Sequence, residues 1–423
     1  MLATENAKIS TVAVIGAGIV GAATALTLAE KGYKVTVFDR DEVGAGTSSG
    51  NAGGIVEGAV TPTATPGVIR ALPRYLFDRN GAAVLKPAYV FQIIPWFVRF
   101  LAASRPDQVQ RISAALQPLV SNAMLAHKTL AVASNAQEMI QPVGWLKVYQ
   151  SDAGFANSAY DRALMTQHGV NFSVLTANEV ADLEPQLHKD AYTRGVFQPG
   201  SGFVNFPKGL AQAYFAGALA RGASFTQTEV LELQTSSDGA TGVRTAQGAQ
   251  HFDSVVVAAG AWSKKFVAQV GDRVSLDTER GYHISLATRG APLLNRPVGF
   301  PEKDCVLSPM HDGITVVSGD ELAGLKAPPN YRRIRTLLPF VRDVLPATRA
   351  ASVQREWMGF RPSTPDSLPV IGRSPKNPRV FYAFGHGHLG LTLSAITAQL
   401  IATMVSGETA PFDTQPYQIS RFN

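Results

Sequence analysis

Thr11-Val-Ala-Val-Ile15 runs directly into Gly16-Ala-Gly18-Ile19-Val20-Gly21. A small-residue stretch follows (Ala22, Ala23, Ala25, Leu26, Ala29), then a stop at Gly32 and a second apolar run, Lys34-Val-Thr-Val-Phe-Asp39. A G-x-G-x-x-G triplet alone constrains little. Set between a strand pattern and a helix pattern, with an acid closing the next strand, it predicts a β-α-β unit that holds a dinucleotide. Gly16 permits the tight turn, Gly18 lets backbone approach a pyrophosphate, and Gly21 lets helix and sheet pack closely. The amides around Ile19 and Val20 lie at a helix N-terminus and attract phosphate. The Asp39 carboxylate is placed to accept hydrogen bonds from ribose hydroxyls. It also repels a 2′-phosphate unless Arg40 offsets it.

The chain has 423 residues, 45% hydrophobic and 17% charged, which excludes a disordered polymer and allows two or three domains. A net charge of +6 admits anionic partners. The absence of a Lys/Arg block, zinc-finger spacing or aromatic-basic interleaving argues against nucleic acid. Cys305 is the sole cysteine, so no intramolecular disulfide or thiolate cluster is available. It reads as a small buried hydrophobe in a strand. No apolar h-region opens the chain, so the expected location is cytoplasmic. Tyr89-Val-Phe-Gln-Ile-Ile-Pro-Trp-Phe-Val-Arg-Phe-Leu101 is apolar, too short to span a bilayer, and flanked by Arg99, Arg105 and Arg111. It is either a core helix or an interfacial one carrying Trp96, which would put the protein on the cytoplasmic face of the inner membrane.

After Asp39 comes a loop of small residues from Val43 to Gly54. Its Thr47, Ser48, Ser49, Asn51, Ala52, Gly53 and Gly54 offer amides, hydroxyls and room for close approach to a ligand. Further along, a strand over Glu229-Val230-Leu-Glu-Leu233 and a buried parallel strand ending in Ala258-Ala259-Gly260-Ala-Trp262 bring small residues to a sheet's C-terminal edge. Open α/β sheets bind ligands at that edge.

The C-terminal third carries Gly359-Phe-Arg361-Pro-Ser-Thr-Pro-Asp366-Ser-Leu-Pro-Val-Ile-Gly372, then Gly385-His386-Gly387-His388-Leu389-Gly390-Leu391-Thr392. With the N-terminal fingerprint and the 43–54 loop, this order resembles the FAD-dependent D-amino-acid oxidase and dehydrogenase superfamily along the whole chain, nearest to its bacterial D-amino-acid dehydrogenase branch. The resemblance implies an α/β fold: a Rossmann-type, glutathione-reductase-like FAD-binding domain with an α+β substrate domain on an antiparallel sheet. The expected domains are 8–90, 190–265 and 350–423 for FAD, and 91–189 and 266–349 for substrate.

The same resemblance makes Arg361 the residue that grips a substrate carboxylate, a task suited to a two-pronged guanidinium. Tyr282, in Arg-Gly-Tyr-His, either adds a hydroxyl to that grip, closes the pocket or is a core tyrosine. Of His386 and His388, one is expected to line the pocket and neither to act as a base, because amine oxidation by direct transfer to flavin needs orientation and desolvation. The Gly385–Gly390 turn opens a helix whose N-terminus can steady negative charge on the reduced flavin. Asp39 stands where relatives more often carry Glu. No cysteine lies in the C-terminal flavin-facing segment, so FAD is expected to be noncovalent. The expected reaction is oxidative deamination of a D-amino acid or a cyclic imino acid, with electrons passing to a quinone or another acceptor. The alternatives are an L-2-hydroxy-acid dehydrogenase or amino-acid oxidase of the same superfamily, and an FAD-binding subunit of a larger dehydrogenase.

Overall fold

The computed structural model describes residues 10–67, 83–86, 89–235, 241–288 and 292–422. Two large sheets face each other. The first contains β1 (Thr11–Ile15) and β2 (Lys34–Asp39), with β10 (Ser224–Gln227), β14 (Ser254–Val257), β20 (Val370–Arg373) and β21 (Val380–Phe384). Its order is β10-β2-β1-β14-β21-β20, parallel except at the β20 edge. β1, β14 and β21 are almost wholly buried, as their Val/Ile/Phe runs require of a parallel sheet covered on both faces. Helix α1 (Ile19–Glu30) buries ten of its twelve residues, mostly alanines and leucines.

The second sheet is the long antiparallel one. It contains β4 (Ala83–Leu85), β6 (Trp145–Tyr149), β7 (Ser173–Thr176), β8 (Arg194–Gln198), β15 (Asp277–Ala287), β16 (Val298–Phe300), β17 (Cys305–Met310), β18 (Gly313–Leu322) and β19 (Val353–Ser363). The order is β19-β15-β18-β17-β16-β6-β8-β7, with β4 on β18; the β4–β18 and β6–β16 pairings are parallel and the others antiparallel. Small sheets of β3 (Gly54–Ile55), β5 (Ile140–Gln141) and β9 (Gly202–Val204), and of β11 (Glu232–Thr235), β12 (Thr241–Thr245) and β13 (Gly248–Phe252), complete the strands.

The expected α/β fold with its antiparallel second sheet is present. β4 (83–85), β8 (194–198) and β19 (353–363), assigned from sequence to the FAD-binding stretches, belong to the antiparallel sheet. Helix α3 (Pro106–Ala133), assigned to the substrate stretch, buries its apolar face in the core shared with α1. Pairing partners, not chain position, decide these memberships. Residues 68–82, expected in the first FAD-binding stretch, lie outside the described residues.

The 89–101 segment forms helix α2 (Val90–Ala103), which has two apolar faces. Ile93, Trp96, Phe100 and Ala103 are buried. The Trp96 indole donates to the Ser363 carbonyl at 3.0 Å and stacks on Phe100. Trp96 is therefore a core residue, which corrects the interfacial role considered for it. On the opposite face Phe91 is 85% exposed, Ile94 46% and Val98 60%. Segment Gly387–Ser406 is long and apolar enough to cross a membrane by composition, yet 67% of that window is buried. Its helix, α4 (Gly390–Ser406), shares the apolar core of α1 and α3.

Candidate active site

A cavity of about 720 Å³ lies between the two sheets and is walled by both. On the nucleotide side the three fingerprint glycines prove unequal. A Cβ on Gly16 would press into the Ala258 carbonyl, whose carbon it would approach to 2.8 Å, and Gly16 has φ +108°. A Cβ on Gly21 would collide with the Gly16 carbonyl. The folded chain itself demands glycine at both positions. Gly18, at φ −69° and ψ 179°, would bring a Cβ only to 3.3 Å from the Ser48 hydroxyl. No protein neighbour needs its bare Cα, so the space above it is available to a ligand.

The Ser48 hydroxyl accepts from the Ile19 amide at 2.9 Å, which holds the 43–54 loop against the N-terminus of α1. Thr47 donates to the Phe360 carbonyl at 2.8 Å and ties the same loop to β19. Asp39 accepts from the Ala17 amide at 2.7 Å and from the Asp41 amide at 3.0 Å. Each carboxylate oxygen keeps a further acceptor position, and Asp39 borders the cavity. Arg40 lies over the Trp262 ring, 4.4 Å from its centroid, and its guanidinium also meets Asp41 at 3.3 Å. This donor and acceptor set, with a bare Cα at a helix N-terminus, fits the pyrophosphate and ribose of FAD.

The opposite wall is the cavity-facing side of the antiparallel sheet. Register sets Gly281 opposite Gly359, and Arg361 opposite Glu279. The Arg361 Nη1 donates to the Gly319 carbonyl at 2.9 Å and to Asp320. Its Nε and Nη2 have no hydrogen-bond partner among the described residues. The His388 Nε2 lies 3.1 Å from Glu279 and 3.6 Å from Asp320. Burial opposes charge on His388, but Asp320 and Glu279 outweigh it and raise its pKa. Burial likewise pushes Glu279 up, and the His388 bond and charge, with Arg361, bring it below the usual carboxylate range. Asp304 is driven up to about 6 by burial and then by Asp320. Glu279, Asp320 and His388 bring ligand atoms within 4.8 Å of one another. Arg361 supplies positive charge at that point, so the group is an internal ion-pair network.

Most residues singled out from sequence border this cavity. They are Gly16, Gly18, Ile19, Val20, Asp39, Arg40, Thr47, Ser48, Asn51, Ala52, Gly54, Val230, Ala259, Gly260, Trp262, Arg361 and the 386–392 run. Five expected cofactor or substrate contacts do not. Gly21 serves helix packing; Gly53, at φ +75°, abuts the Val204 carbonyl; Gly385, at φ +80°, turns the chain beneath Thr364. The Ser49 hydroxyl is spent on the Ala45 and Gly46 carbonyls at 3.2 and 3.0 Å. Tyr282 points to the other face of the sheet, where its hydroxyl meets Glu321 and accepts from the Asn330 amide at 3.1 Å. The period-2 alternation of β15 that turns position 281 toward the cavity turns 282 away. His386 borders the cavity, but its Nε2 is bonded to Thr397 at 2.9 Å and burial lowers its pKa to about 3, leaving a neutral, structural imidazole. Cys305 also borders the cavity; it packs in the core beneath the antiparallel sheet, and burial pushes its thiol up to about 12.

Sequence reasoning missed Glu279, Asp304 and Asp320, and the Lys147 and Asp161 pair at 2.8 Å on the same wall. Glu279 was within reach, since it directly precedes the Arg-Gly-Tyr-His run. The others come from four elements with no shared spacing.

The family described as FAD dependent oxidoreductase matches residues 11–404. A D-amino-acid oxidase of Bradyrhizobium diazoefficiens is 34% identical over 417 residues, covering 97% of this chain and 98% of that protein. A D-amino acid dehydrogenase 2 of Ralstonia nicotianae is 30% identical over 427 residues, covering 97% and 100%. The crystal structure of glycine oxidase from Geobacillus kaustophilus shares the fold at a TM-score of 0.74 and 24% identity, over 97% of this chain and 98% of that one.

Proposed function

The chain belongs to the FAD dependent oxidoreductase family, and from that premise we propose that it oxidises the Cα–N bond of an α-amino acid, of D configuration or a cyclic imino acid, to an imine that water opens. The names of the similar proteins support this substrate class. The observation that carries it is the free Nε/Nη2 edge of Arg361, displayed on the wall of the cavity that also holds the nucleotide cradle. Such an edge takes a carboxylate with two parallel hydrogen bonds, which binds and orients at once. The Gly18 backbone, Asp39 and the 47–54 loop would hold FAD noncovalently, and the bound flavin would supply the two-electron acceptor. Asp320 and the Gly319 carbonyl fix Nη1, so that the opposite edge faces the substrate. Glu279 holds His388 near Asp320, and His386 stays neutral and bonded to Thr397.

Anaerobic flavin reduction by a panel of D-, L- and N-substituted amino acids and 2-hydroxy acids tests the reading. Bleaching by D-amino or imino acids is expected. Bleaching by 2-hydroxy acids alone favours the hydroxy-acid alternative, and a flavin that stays oxidised with every compound until a partner protein is added favours the subunit alternative.

We further propose that electrons leave to a quinone or another acceptor at the cytoplasmic face of a membrane. The apolar outward face of α2, Phe91, Ile94 and Val98 with Arg99 beside it, supports a peripheral contact there.

A further inference from the structure

We infer that Gly281 is a positioning residue for substrate: its missing side chain is what allows Arg361 to lie across the sheet with its free edge turned into the cavity. The inference rests on the carboxylate grip proposed for Arg361. A Cβ at position 281 would stand 2.5 Å from the Arg361 Cζ and 2.9 Å from Nη1, with Nη2 closer still. All three are guanidinium atoms, and no backbone atom of another strand is among the three nearest.

The register of β15 against β18 shifts between Arg280 and Tyr282, so a bulge also falls at this position, yet the three atoms nearest to an added Cβ all belong to the Arg361 guanidinium. The φ of Gly281 lies outside the left-handed region. It sits in the body of β15, where glycine weakens a strand by lost side-chain packing and added unfolded-state entropy. Its neighbours fix which way it faces. Arg280 is wholly buried, with Nε on the Gly324 carbonyl at 2.8 Å, and Tyr282 is held at Glu321. Both side chains point away from the cavity, so position 281 points toward it. The opposite residue on β19 is Gly359, two positions before Arg361. The guanidinium therefore rests on bare backbone. Asp320 and Gly319 hold one of its nitrogens from the neighbouring strand, while the Nε and Nη2 side remains open.

An alanine at 281 displaces the flexible end of an arginine, which costs the fold little. It moves the one group whose direction decides how a carboxylate sits. The expected result for Gly281→Ala is unchanged FAD content and thermal midpoint. The half-saturating substrate concentration rises at least tenfold, and the limiting rate of flavin reduction falls by a smaller factor. A non-reducing monocarboxylate such as benzoate, titrated by its perturbation of the flavin spectrum, should weaken by a similar factor. That readout does not depend on turnover.

Arg361→Ala clears the colliding atoms and closes a double-mutant cycle. Gly281→Ala added to Arg361→Ala should change nothing further in either titration. If Gly281→Ala alone leaves substrate and benzoate affinity as in the original protein while Arg361→Ala weakens both, the positioning role is refuted and the carboxylate grip stands. If Arg361→Ala leaves both affinities unchanged, the grip itself fails. If Gly281→Ala lowers FAD content or thermal midpoint equally with and without Arg361, the glycine serves the sheet and the inference is wrong.

Discussion

In Gly18→Ala the new methyl group stands 3.3 Å from the Ser48 hydroxyl, on a backbone at φ −69° and ψ 179° that any residue adopts. The chain gives by a few tenths of an ångström, and the helix exchanges a glycine N-cap for a poorer alanine, at a cost of roughly 1 kcal/mol or less. The midpoint of the cofactor-free protein should therefore fall by no more than about 2–4 °C. The ligand meets a different situation. A phosphate kept off the amides beside Gly18 forfeits one or two charge-assisted hydrogen bonds, each about 1.5–3 kcal/mol. That corresponds to a weakening of FAD on the order of 10- to 10⁴-fold. Gly21→Ala, whose methyl group would collide with the Gly16 carbonyl, should instead prevent a stable fold. The assay pairs FAD titration of the cofactor-free protein, followed by flavin fluorescence, with its thermal unfolding. The reasoning is refuted if Gly18→Ala binds FAD as the original does, or if it unfolds as readily as Gly21→Ala.

Arg361→Met should keep FAD and lose about 2–5 kcal/mol of transition-state binding, roughly 30- to 5,000-fold in kcat/KM for carboxylate substrates; steady-state kinetics within threefold of the original would contradict it. Glu279→Gln removes one of the two carboxylates that hold the His388 pKa up against burial. The protonated imidazole then persists only to a lower pH, and the His388 limb of the pH profile of flavin reduction should move to lower pH; an unmoved limb would remove Glu279 from that role. The triple change Phe91→Ser, Ile94→Ser and Val98→Ser should abolish flotation with anionic liposomes while amine-to-dye activity continues, and undiminished flotation would end the membrane reading. Trp96→Ala should lower the thermal midpoint instead. It deletes a buried aromatic and leaves the Ser363 carbonyl without its donor, together about 3–5 kcal/mol.

The nucleotide half of the site was legible because its chemistry is local. Gly16, Gly18, Gly21 and Asp39 lie within one β-α-β unit, where spacing along the chain maps directly onto spacing in three dimensions. The substrate wall is different. Arg361, Glu279, Asp320 and Asp304 come from β19, β15, β18 and the turn before β17, and strand register alone brings them together. Arg361 was reached through a motif. Asp320 had no local signal, since an acid after a Ser-Gly pair reads as a turn. Tyr282 failed on a single residue of strand parity. For Trp96 the sequence left a core helix and an interfacial one both open; burial of its face and the indole bond to Ser363 decide it.

The register of the antiparallel sheet also governs how such an enzyme can change its diet. Along β15 and β19, residues of one parity look into the cavity, and those of the other parity, such as Tyr282 and Met358, pack into the core beneath. The nucleotide cradle sits on a separate sheet. A lineage can therefore exchange cavity-facing residues on the substrate wall one at a time, without disturbing the apolar layer beneath. A one-residue insertion within either strand would do the reverse: it would swap the two faces at a stroke and bury the charges meant for the ligand. Drift in substrate preference should thus be written in point substitutions at alternate positions, with length changes confined to the turns.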